Sequence, residues 1–442
     1  MDIGTFQLEA SQAIHKYFDD LKKKNINIGK SAYTFIATWG DNLGFEYLKY
    51  KTLKSSNILN FLKLFLKDLF SAISISNFEL LNSLNIDNKK KIIFSNASAK
   101  DFSDDGSYND RYFRINSDQY NEFIFILIYS DNIVPKVISP NILLLRYRKK
   151  FLFKKLFKFF WKFLNTKLNK KYFFHEYSNA YCFSEKLFLT LEKNINLAYI
   201  SKIFLPYEGI PFQQNLSLEF KKKNKNIKFI GYDHSAPHAA PFNMFFRQGS
   251  PDLLLVNGKS QKKYLTNYLN WPENQIEIVP SLRYKKNSKE KFENIIFLPW
   301  QINNEKIILT DLKFLLESTK FNSLGKLSVK THPTCIDPKK QKKLKIDIES
   351  LLKIYKDKFN ERNDKTSIFI GSTTGVIVAL EKGLDVIHIC FDPLFESYSS
   401  KLWPELNVTS VSKNIFIYKL EKKQSFINFG DDDGTFNRFY DK

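Results

Sequence analysis

The chain has 442 residues, 43% of them hydrophobic and 26% charged, which is enough for two domains with full cores and excludes an intrinsically disordered protein. Its formal net charge of +22 favours anionic partners such as nucleotides or anionic lipid. The three cysteines stand apart without zinc-ligand spacing, and neither a signal-peptide core nor an apolar run long enough for a spanning helix is present. We therefore expect a cytoplasmic protein.

Helical and strand periodicities alternate along the first third of the chain. They predict helices at Thr5–Lys24 and Ser55–Phe70 and strands at Ser31–Thr38, Lys91–Ser95 and Phe123–Ser130. Asp41 follows the first of these strands and is a weak candidate for a catalytic base, with a turn-forming Asp-Asn pair as the alternative. Asp104 and Asp105 are also weak base candidates. Polar residues precede them instead of a buried strand, and a solvated turn is the alternative interpretation.

A strongly basic stretch follows the last of these strands. From Asn132 to His175 there is no acidic residue, and Arg146–Lys171 interleaves eleven lysines and arginines with Phe, Leu and Trp161. On a helix, the apolar side chains would share one face and the lysines would lie largely off it. Such an insertion, at about residues 146–171, is suited to an anionic membrane surface, with an ordinary core-packing helix as the alternative. Nucleic acid is not expected as a partner, because no recognised binding motif accompanies the charge.

Strands and helices alternate between residues 202 and 279, which is typical of the late half of a Rossmann-like domain. The strands are predicted at Lys202–Leu205, Lys228–Tyr232, Asp252–Val256 and Glu277–Val279. Glu208 and His234 follow the first two of these strands, so both should lie at one edge of one sheet. Either is a candidate for the general base, and His238 could replace His234. For each residue the alternative is a polar side chain that stabilises its own turn.

The segment Ser281–Glu293, rich in lysine and serine, is the best candidate for an interdomain linker. It divides the chain into an N-terminal Rossmann-like domain, residues 1–284, and a C-terminal one, residues 285–442.

Two anion-binding features are predicted in the C-terminal domain. A strand at Leu327–Thr331 is followed at once by His332-Pro333, so the imidazole should leave the carboxyl edge of the sheet with Lys330 two residues before it. About forty residues later, a buried strand leads through Gly371 into a turn before a short helix. The turn contains Ser372, Thr373 and Thr374. A histidine, a lysine and three hydroxyls together form a plausible phosphate site.

These residues resemble those of a known group. The His332-Pro333 motif with the later Ser372-Thr373 pair is similar to the C-terminal half of inverting GT-B glycosyltransferases that use CMP- or CDP-activated donors, such as the bacterial sialyltransferases and the CDP-glycerol glycerophosphotransferases. The resemblance covers roughly residues 200–400. It implies an α/β fold of two Rossmann-like domains with a cleft between them. It also implies that the N-terminal domain binds the acceptor and the C-terminal domain the nucleotide. The histidine and the hydroxyls would then hold the donor phosphate, and Glu381 would bind the ribose.

Two further motifs carry a similar resemblance on the acceptor side. The run Gly231-Tyr232-Asp233-His234 resembles a turn of surface-carbohydrate glycosyltransferases, and in glycerophosphotransferases a histidine in a comparable turn is the base. Asp104-Asp105-Gly106 resembles the Asp-Asp-Gly motif in which the aspartate of bacterial sialyltransferases is the general base. A second copy at Asp432-Asp433-Gly434 shows how easily this tripeptide arises.

The resemblance implies an inverting, metal-independent glycosyltransferase. We expect it to move a nonulosonic or Kdo-type acid sugar from a CMP-linked donor to a surface glycan or glycolipid acceptor, at the inner face of the cytoplasmic membrane. No Asp-x-Asp pair has a convincing metal-ligand context, so no metal or other cofactor is expected. The alternatives are a CDP-glycerol-type polyol-phosphate transferase and a non-catalytic GT-B-like subunit associated with the membrane.

Overall fold

The structure is a computed structural model that describes residues 2–23, 74–84, 91–115, 117–151, 154–165, 179–285, 291–302, 304–318, 325–359, 365–423, 425–430 and 437–441. The strand predicted at Ser31–Thr38, the helix predicted at Ser55–Phe70 and the base candidate Asp41 lie outside the described residues.

Eight strands of the described chain form the first sheet. They are β1 (Ser74–Leu80), β2 (Lys91–Ala97), β3 (Phe123–Tyr129), β4 (Ile142–Phe151), β5 (Lys202–Pro206), β6 (Lys228–Tyr232), β7 (Leu253–Val256) and β8 (Ile276–Ile278). Their order is β1-β4-β3-β2-β5-β6-β7-β8, and only the pair β1 and β4 among these described strands is antiparallel. The apolar sequence of β3, FIFILIY, is buried almost throughout, as expected for a parallel strand covered on both faces.

Helices accompany this sheet along the chain. They are α1 (Ile3–Lys23), α2 (Ser117–Tyr120), α3 (Lys154–Asn165), α4 (Asn179–Asn194), α5 (Pro211–Lys223) and α6 (Lys259–Tyr268). The first sheet together with α2–α6 is called the first lobe.

The basic stretch is only partly helical. The prediction of a helix from Arg146 onward is wrong for residues 146–151, which continue β4 and pair antiparallel with β1 from Leu80↔Leu145 to Ser74↔Phe151. Ile142 to Leu145 at the start of β4 are fully buried, so the strand is fixed in the sheet before the basic residues begin. The ladder with β1 then satisfies the backbone hydrogen bonds of the basic part. Among the described residues of this stretch, α3 has the predicted helical form.

The second sheet is formed by six strands among the described residues. They are β9 (Ile295–Phe297), β10 (Ser328–Lys330), β11 (Thr366–Ile370), β12 (Asp385–Ile389), β13 (Leu406–Ser410) and β14 (Ile415–Leu420). Their order is β10-β9-β11-β12-β14-β13, parallel as far as β12 and then antiparallel. The helices of this part are α7 (Glu305–Glu317), α8 (Pro338–Ile354), α9 (Gly375–Glu381) and α10 (Pro393–Glu396). Together they form the second lobe.

Both ends of the chain pack across the two lobes. The side chain of Gln7 on α1 donates hydrogen bonds to the carbonyl oxygens of Leu394 and Ser397 in the second lobe, at 3.1 and 2.9 Å. A last helix, α11 (Asn437–Asp441), returns to the first sheet. There the buried Lys202 ammonium donates to the carbonyl oxygens of Phe439 and Tyr440, at 3.2 and 2.8 Å. These buried polar contacts connect the lobes at positions far from the segment between β8 and β9.

The predicted fold class, α/β with two Rossmann-like sheets, is confirmed by these strand orders. In the first lobe, β2 leads outward to β3 and β4, while β5 leads the other way to β6–β8. In the second lobe, β10 and β11 lie on opposite sides of β9. Loops diverge where the strand order reverses, and the crevice outside the carboxyl ends of the strands is the usual ligand site. The predicted domain division at 284/285 falls between β8 and β9.

Candidate active site

A cleft with a volume of about 450 Å³ is lined by residues from both lobes. The first lobe contributes the turns after β5 and β6, with Glu208 and His234, together with His238 in the following loop. The second lobe contributes His332 and Thr334 after β10 and the turn Ser372–Thr374 after β11. Base candidates and phosphate-binding candidates therefore face the same space.

The strand pairing brings Glu208 and His234 together. β5 and β6 are parallel neighbours with Pro206 opposite Tyr232, so the turns that follow them start at the same level. The backbone of Glu208 is fixed on both sides: its N–H donates to Oε1 of Gln213 at 3.1 Å, and its carbonyl accepts from Nδ2 of Asn243 at 2.5 Å. Oε1 of Glu208 lies 3.9 Å from Nε2 of His234, a separation longer than a hydrogen bond.

The imidazole of His234 is buried and neutral. Its side chain is 8% exposed, and Nδ1 has no hydrogen-bond partner among the described residues. The ring of Tyr112 meets it edge to face with 4.6 Å between centroids. Burial, helped by the positive charges of Arg283 and Arg111, lowers the pKa of His234 to about 3. The free side chain is therefore a weak proton acceptor at neutral pH.

Glu208 is better matched to accept a proton. Burial raises the pKa of its carboxyl above the ordinary value, while the nearby charge of Arg283 acts in the opposite direction. Its side chain is still 38% exposed, so an acceptor hydroxyl in the cleft can reach it. A base gains efficiency as its pKa approaches the working pH, provided that the base stays ionised.

Asp233 is the neighbour of His234 and has a structural role. Its carboxyl accepts hydrogen bonds from Nε2 of Gln261 at 2.6 Å and from the N–H of Ser235 at 3.3 Å. Burial raises its pKa to about 8, with the hydrogen bond from Ser235 opposing the shift. A neutral Asp233 fixes the turn that presents His234 without adding a second full negative charge beside Glu208.

The ring orientation of His332 makes it a donor toward the cleft. Nδ1 accepts a hydrogen bond from the N–H of Thr334 at 3.2 Å, so the proton of the neutral ring is on Nε2. Burial lowers the pKa of His332, and the charge of Arg283 adds to this effect. The neutral ring is thus prepared to donate one hydrogen bond from Nε2 to an anion.

A hydrogen-bonded turn presents the three hydroxyl residues. Gly371 has φ +70°, a conformation that favours glycine, and its N–H donates to the carbonyl of Ile389 at 2.8 Å. Nε2 of His388 donates to the carbonyl of Gly371 at 2.7 Å, which confirms that His388 is a satisfied core residue. Oγ1 of Thr373 accepts from the N–H of Gly375 at 3.1 Å and can still donate its own proton.

Four predicted site residues do not line this cleft. Lys330 is exposed on β10, with its ammonium 5.5 Å from the ring centre of Phe297. Glu381 is 4% exposed, and its Oε1 accepts from the N–H groups of Phe426 and Ile427 at 2.7 and 3.2 Å. Asp104 and Asp105 lie in an exposed turn, where Asp105 accepts from the N–H of Ser107 at 2.9 Å.

The cleft also contains residues that the sequence did not single out. Arg283 and Trp300 line it, and Tyr112 covers His234. Trp300 lies shortly after β9, as His332 does after β10. Its position near a strand end was the sequence signal that could have identified it as a cleft residue. Arg283 lies in the segment interpreted as a linker, and its lysine-rich surroundings gave no sign of a site.

Neither a metal centre nor a membrane span is found among the described residues. There, no group of three or more His, Cys, Asp or Glu side chains is arranged to hold a metal ion. No described helix is both long and apolar enough to cross a bilayer.

Comparison with known proteins gives a distant likeness to solved structures. No protein-family model matches the chain, and no curated protein matches it. Among solved structures, the chain is similar to α,α-trehalose 6-phosphate synthase from Burkholderia multivorans, with 8% identity, a TM-score of 0.34, and 64% of this chain and 76% of that chain covered.

Proposed function

We propose that the protein is an inverting, metal-independent glycosyltransferase that uses a nucleotide-linked sugar. The observation that carries the proposal is the composition of the cleft between the lobes. One wall holds the Glu208–His234 pair, and the other holds His332 with the Ser372–Thr374 turn. A group that removes a proton and a group that stabilises a departing phosphate are the two requirements of glycosyl transfer.

Each residue has a defined part in the proposed reaction. The acceptor oxygen attacks the anomeric carbon from the side of the first lobe and gives its proton to Glu208. The bond between the anomeric carbon and the donor phosphate breaks, and the phosphate leaves with the electron pair. Nε2 of His332 and the hydroxyls of Ser372 and Thr373 donate hydrogen bonds to that phosphate. Because attack and departure occur on opposite faces of the sugar, the anomeric configuration inverts.

The finer identity of the donor rests on the resemblance of the His-Pro and Ser-Thr motifs. It favours a CMP-linked acid sugar of the nonulosonic or Kdo type and a surface glycan or glycolipid acceptor. A polyol-phosphate transferase that uses CDP-glycerol would employ the same phosphate site. We keep this transferase as the second candidate because His234 is the histidine of a Gly-Tyr-x-His turn.

A donor screen tests the proposal. The full-length protein is incubated with CMP-N-acetylneuraminate, CMP-Kdo, CDP-glycerol and UDP-glucose, each with a mixture of glycan acceptors and each with and without EDTA. We expect CMP to be released from an acid-sugar donor at a rate that EDTA does not lower. Release from CDP-glycerol alone would establish the second candidate. Absence of turnover together with nucleotide binding would support the non-catalytic subunit.

The amphipathic helix α3 supports a peripheral membrane location. Phe157, Trp161 and Leu164 follow one another at helical spacing and are 83%, 72% and 74% exposed. The alternative, that this face packs in the core, does not fit such exposure. Lysines alternate with these residues in the sequence, and the surrounding stretch contains no acidic residue. The positive charge of this helix therefore complements an anionic lipid surface. We assign an anionic bilayer as the occupant of this face.

A further inference from the structure

Arg283 occupies an anchored position at the cleft. The two residues before it, Ser281 and Leu282, are 0% and 2% exposed. Ser281 forms a β-bridge with Phe429, and the N–H of Leu282 donates to the hydroxyl of Tyr232 at 3.2 Å. The backbone that carries Arg283 is therefore held by the first lobe and by the returning C-terminal segment, while its side chain lines the cleft.

The guanidinium of Arg283 has only weak protein contacts. Nη1 lies 3.4 Å from Oγ of Ser235, and the group lies 5.4 Å from the ring centre of Tyr284. Among the described residues, no carboxylate lies within ion-pair distance of it. Arg111, the other arginine near this wall, is instead paired with Asp101 at 3.1 Å. A guanidinium stays protonated in proteins, so the cleft contains a positive charge that no carboxylate of the described residues contacts at ion-pair distance.

The charge of Arg283 reaches both walls of the cleft. On the first lobe it acts on Glu208 and His234, and on the second lobe it acts on His332. An anion bound between His332 and the Glu208–His234 pair would lie beside the guanidinium of Arg283. Arginine binds a phosphate through two parallel N–H bonds, a geometry that a single histidine or hydroxyl does not offer.

We propose that Arg283 binds the donor phosphate adjacent to the sugar, together with His332 and the Ser372–Thr374 turn. The inference rests on the proposed function and adds a residue that the sequence motifs do not contain. Arg283 would orient the phosphate from the first-lobe side and stabilise the negative charge that develops as the sugar departs.

Binding of the donor would also change the electrostatic field at Glu208, the proposed general base. Glu208 is faced by Arg283 on the segment after β8, by His234 and Asp233 on the β6 turn, and by Tyr112 in the loop after β2. A phosphate on Arg283 offsets the positive charge that weakens Glu208 and His234 as proton acceptors. Proton transfer would then be favoured only after the donor has bound, which limits unproductive deprotonation of the acceptor.

Calorimetric titration of the full-length protein with CMP and with cytidine tests this assignment. The ratio of the two affinities isolates the phosphate, since both ligands share the base and the ribose. We expect Arg283→Gln to weaken CMP binding by about tenfold or more while leaving cytidine binding unchanged, with partial recovery in Arg283→Lys. Lys285→Gln removes an equal charge two residues further along and should leave the ratio unchanged.

The outcomes separate this assignment from the proposed function. If Arg283→Gln keeps the CMP to cytidine ratio while His332→Gln lowers it, the donor site stands and the role of Arg283 is refuted. If Arg283→Gln instead weakens binding of free N-acetylneuraminate alone, the guanidinium recognises a sugar carboxylate and the phosphate assignment is overturned. If the wild-type protein binds neither CMP, CDP nor UDP, both the function and this inference fail. Circular dichroism confirms that each variant is folded.

Discussion

Nε2 of His234 lies 3.9 Å from Oε1 of Glu208, although the two residues follow different strands. The contact exists because β5 and β6 are parallel neighbours in register, so their turns leave the sheet at the same level. Burial gives the two groups opposite tendencies: it lowers the pKa of the imidazole and raises that of the carboxyl. At neutral pH the imidazole is therefore neutral, and the carboxyl beside it has a pKa raised above its ordinary value.

Glu208→Gln should nearly abolish turnover. The amide cannot accept the proton of the acceptor, so we expect kcat to fall by about 10²–10⁴-fold, with little change in the Kd for CMP. Steady-state kinetics with the donor identified in the screen, and calorimetry for CMP, are the measurements. Asp104→Asn is the matched control, because this exposed carboxylate is a base candidate from the sequence that lies outside the cleft. Full activity of Glu208→Gln would remove the proposed base.

The acid limb of the pH–rate profile should respond to Arg283. Glu208 accepts a proton only when ionised, so kcat/KM falls as the pH drops through its raised pKa. Because the charge of Arg283 holds that pKa down, Arg283→Gln should move the acid limb to higher pH. Profiles of the wild type, Arg283→Gln and Lys285→Gln give the comparison. A shift in the opposite direction would show that Glu208 is not the group observed.

CMP should stabilise the protein through His332. At a hundredfold excess over Kd, CMP should add about 2.7 kcal/mol to the free energy of unfolding. His332→Gln and the double variant Ser372→Ala/Thr373→Val should lose most of this gain, since they remove donors to the phosphate. Chemical denaturation with and without CMP measures it. An unchanged gain in both variants would place the phosphate elsewhere.

A variant of Glu381 can distinguish a structural role from a ribose-binding role. Its carboxylate accepts two backbone N–H bonds from the returning C-terminal segment, so Glu381→Ala should lower the free energy of unfolding by about 1–3 kcal/mol. The ratio of CMP to 2′-deoxy-CMP affinity should stay as in the wild type. A changed ratio without a loss of stability would support the ribose contact that the resemblance implies.

Asp233 should make the protein less stable in alkali. Its folded pKa, about 8, lies above its ordinary value of 3.8, so its contribution is complete at low pH and is lost as the pH rises through about 8. Above pH ~7 the histidines are neutral in both states and do not mask this loss. The loss from Asp233 extends up to about pH 8 and ends there, because above that pH the carboxyl is ionised in both states. We therefore expect the Tm to fall between about pH 7 and 8, and to fall less in Asp233→Asn. Glu396, with a pKa of about 8, adds to the slope in both proteins.

Removal of the apolar face of α3 should release the protein from anionic vesicles. The triple variant Phe157→Ser/Trp161→Ser/Leu164→Ser should float less with phosphatidylcholine–phosphatidylglycerol vesicles, and the wild type should not float with phosphatidylcholine alone. Ile354→Ser, which replaces a residue of α8 that is 74% exposed, is the control. Equal partitioning of wild type and triple variant would refute the membrane surface.

Sequence patterns were sufficient where a strand is short, apolar and bounded by turn residues. β6 has the predicted bounds, Lys228–Tyr232, and β5 extends only one residue beyond the predicted Lys202–Leu205. The patterns failed where pairing decides the outcome: the basic residues 146–151 belong to a strand because β1 lies beside them. The antiparallel pair β13 and β14 was also missed, since its strands lie beyond the strand–helix alternation.

Local chemistry thus determined the α/β class, the turns that carry Glu208, His234 and His332, and the basic amphipathic helix, because periodicity and turn residues act between neighbours in the chain. Which of those turns meet was decided by the tertiary structure, since strand order and lobe packing set the distances. That order brought Arg283 into the cleft and Tyr112 against His234, enclosed Glu381 against the C-terminal segment and left Asp104 in solvent.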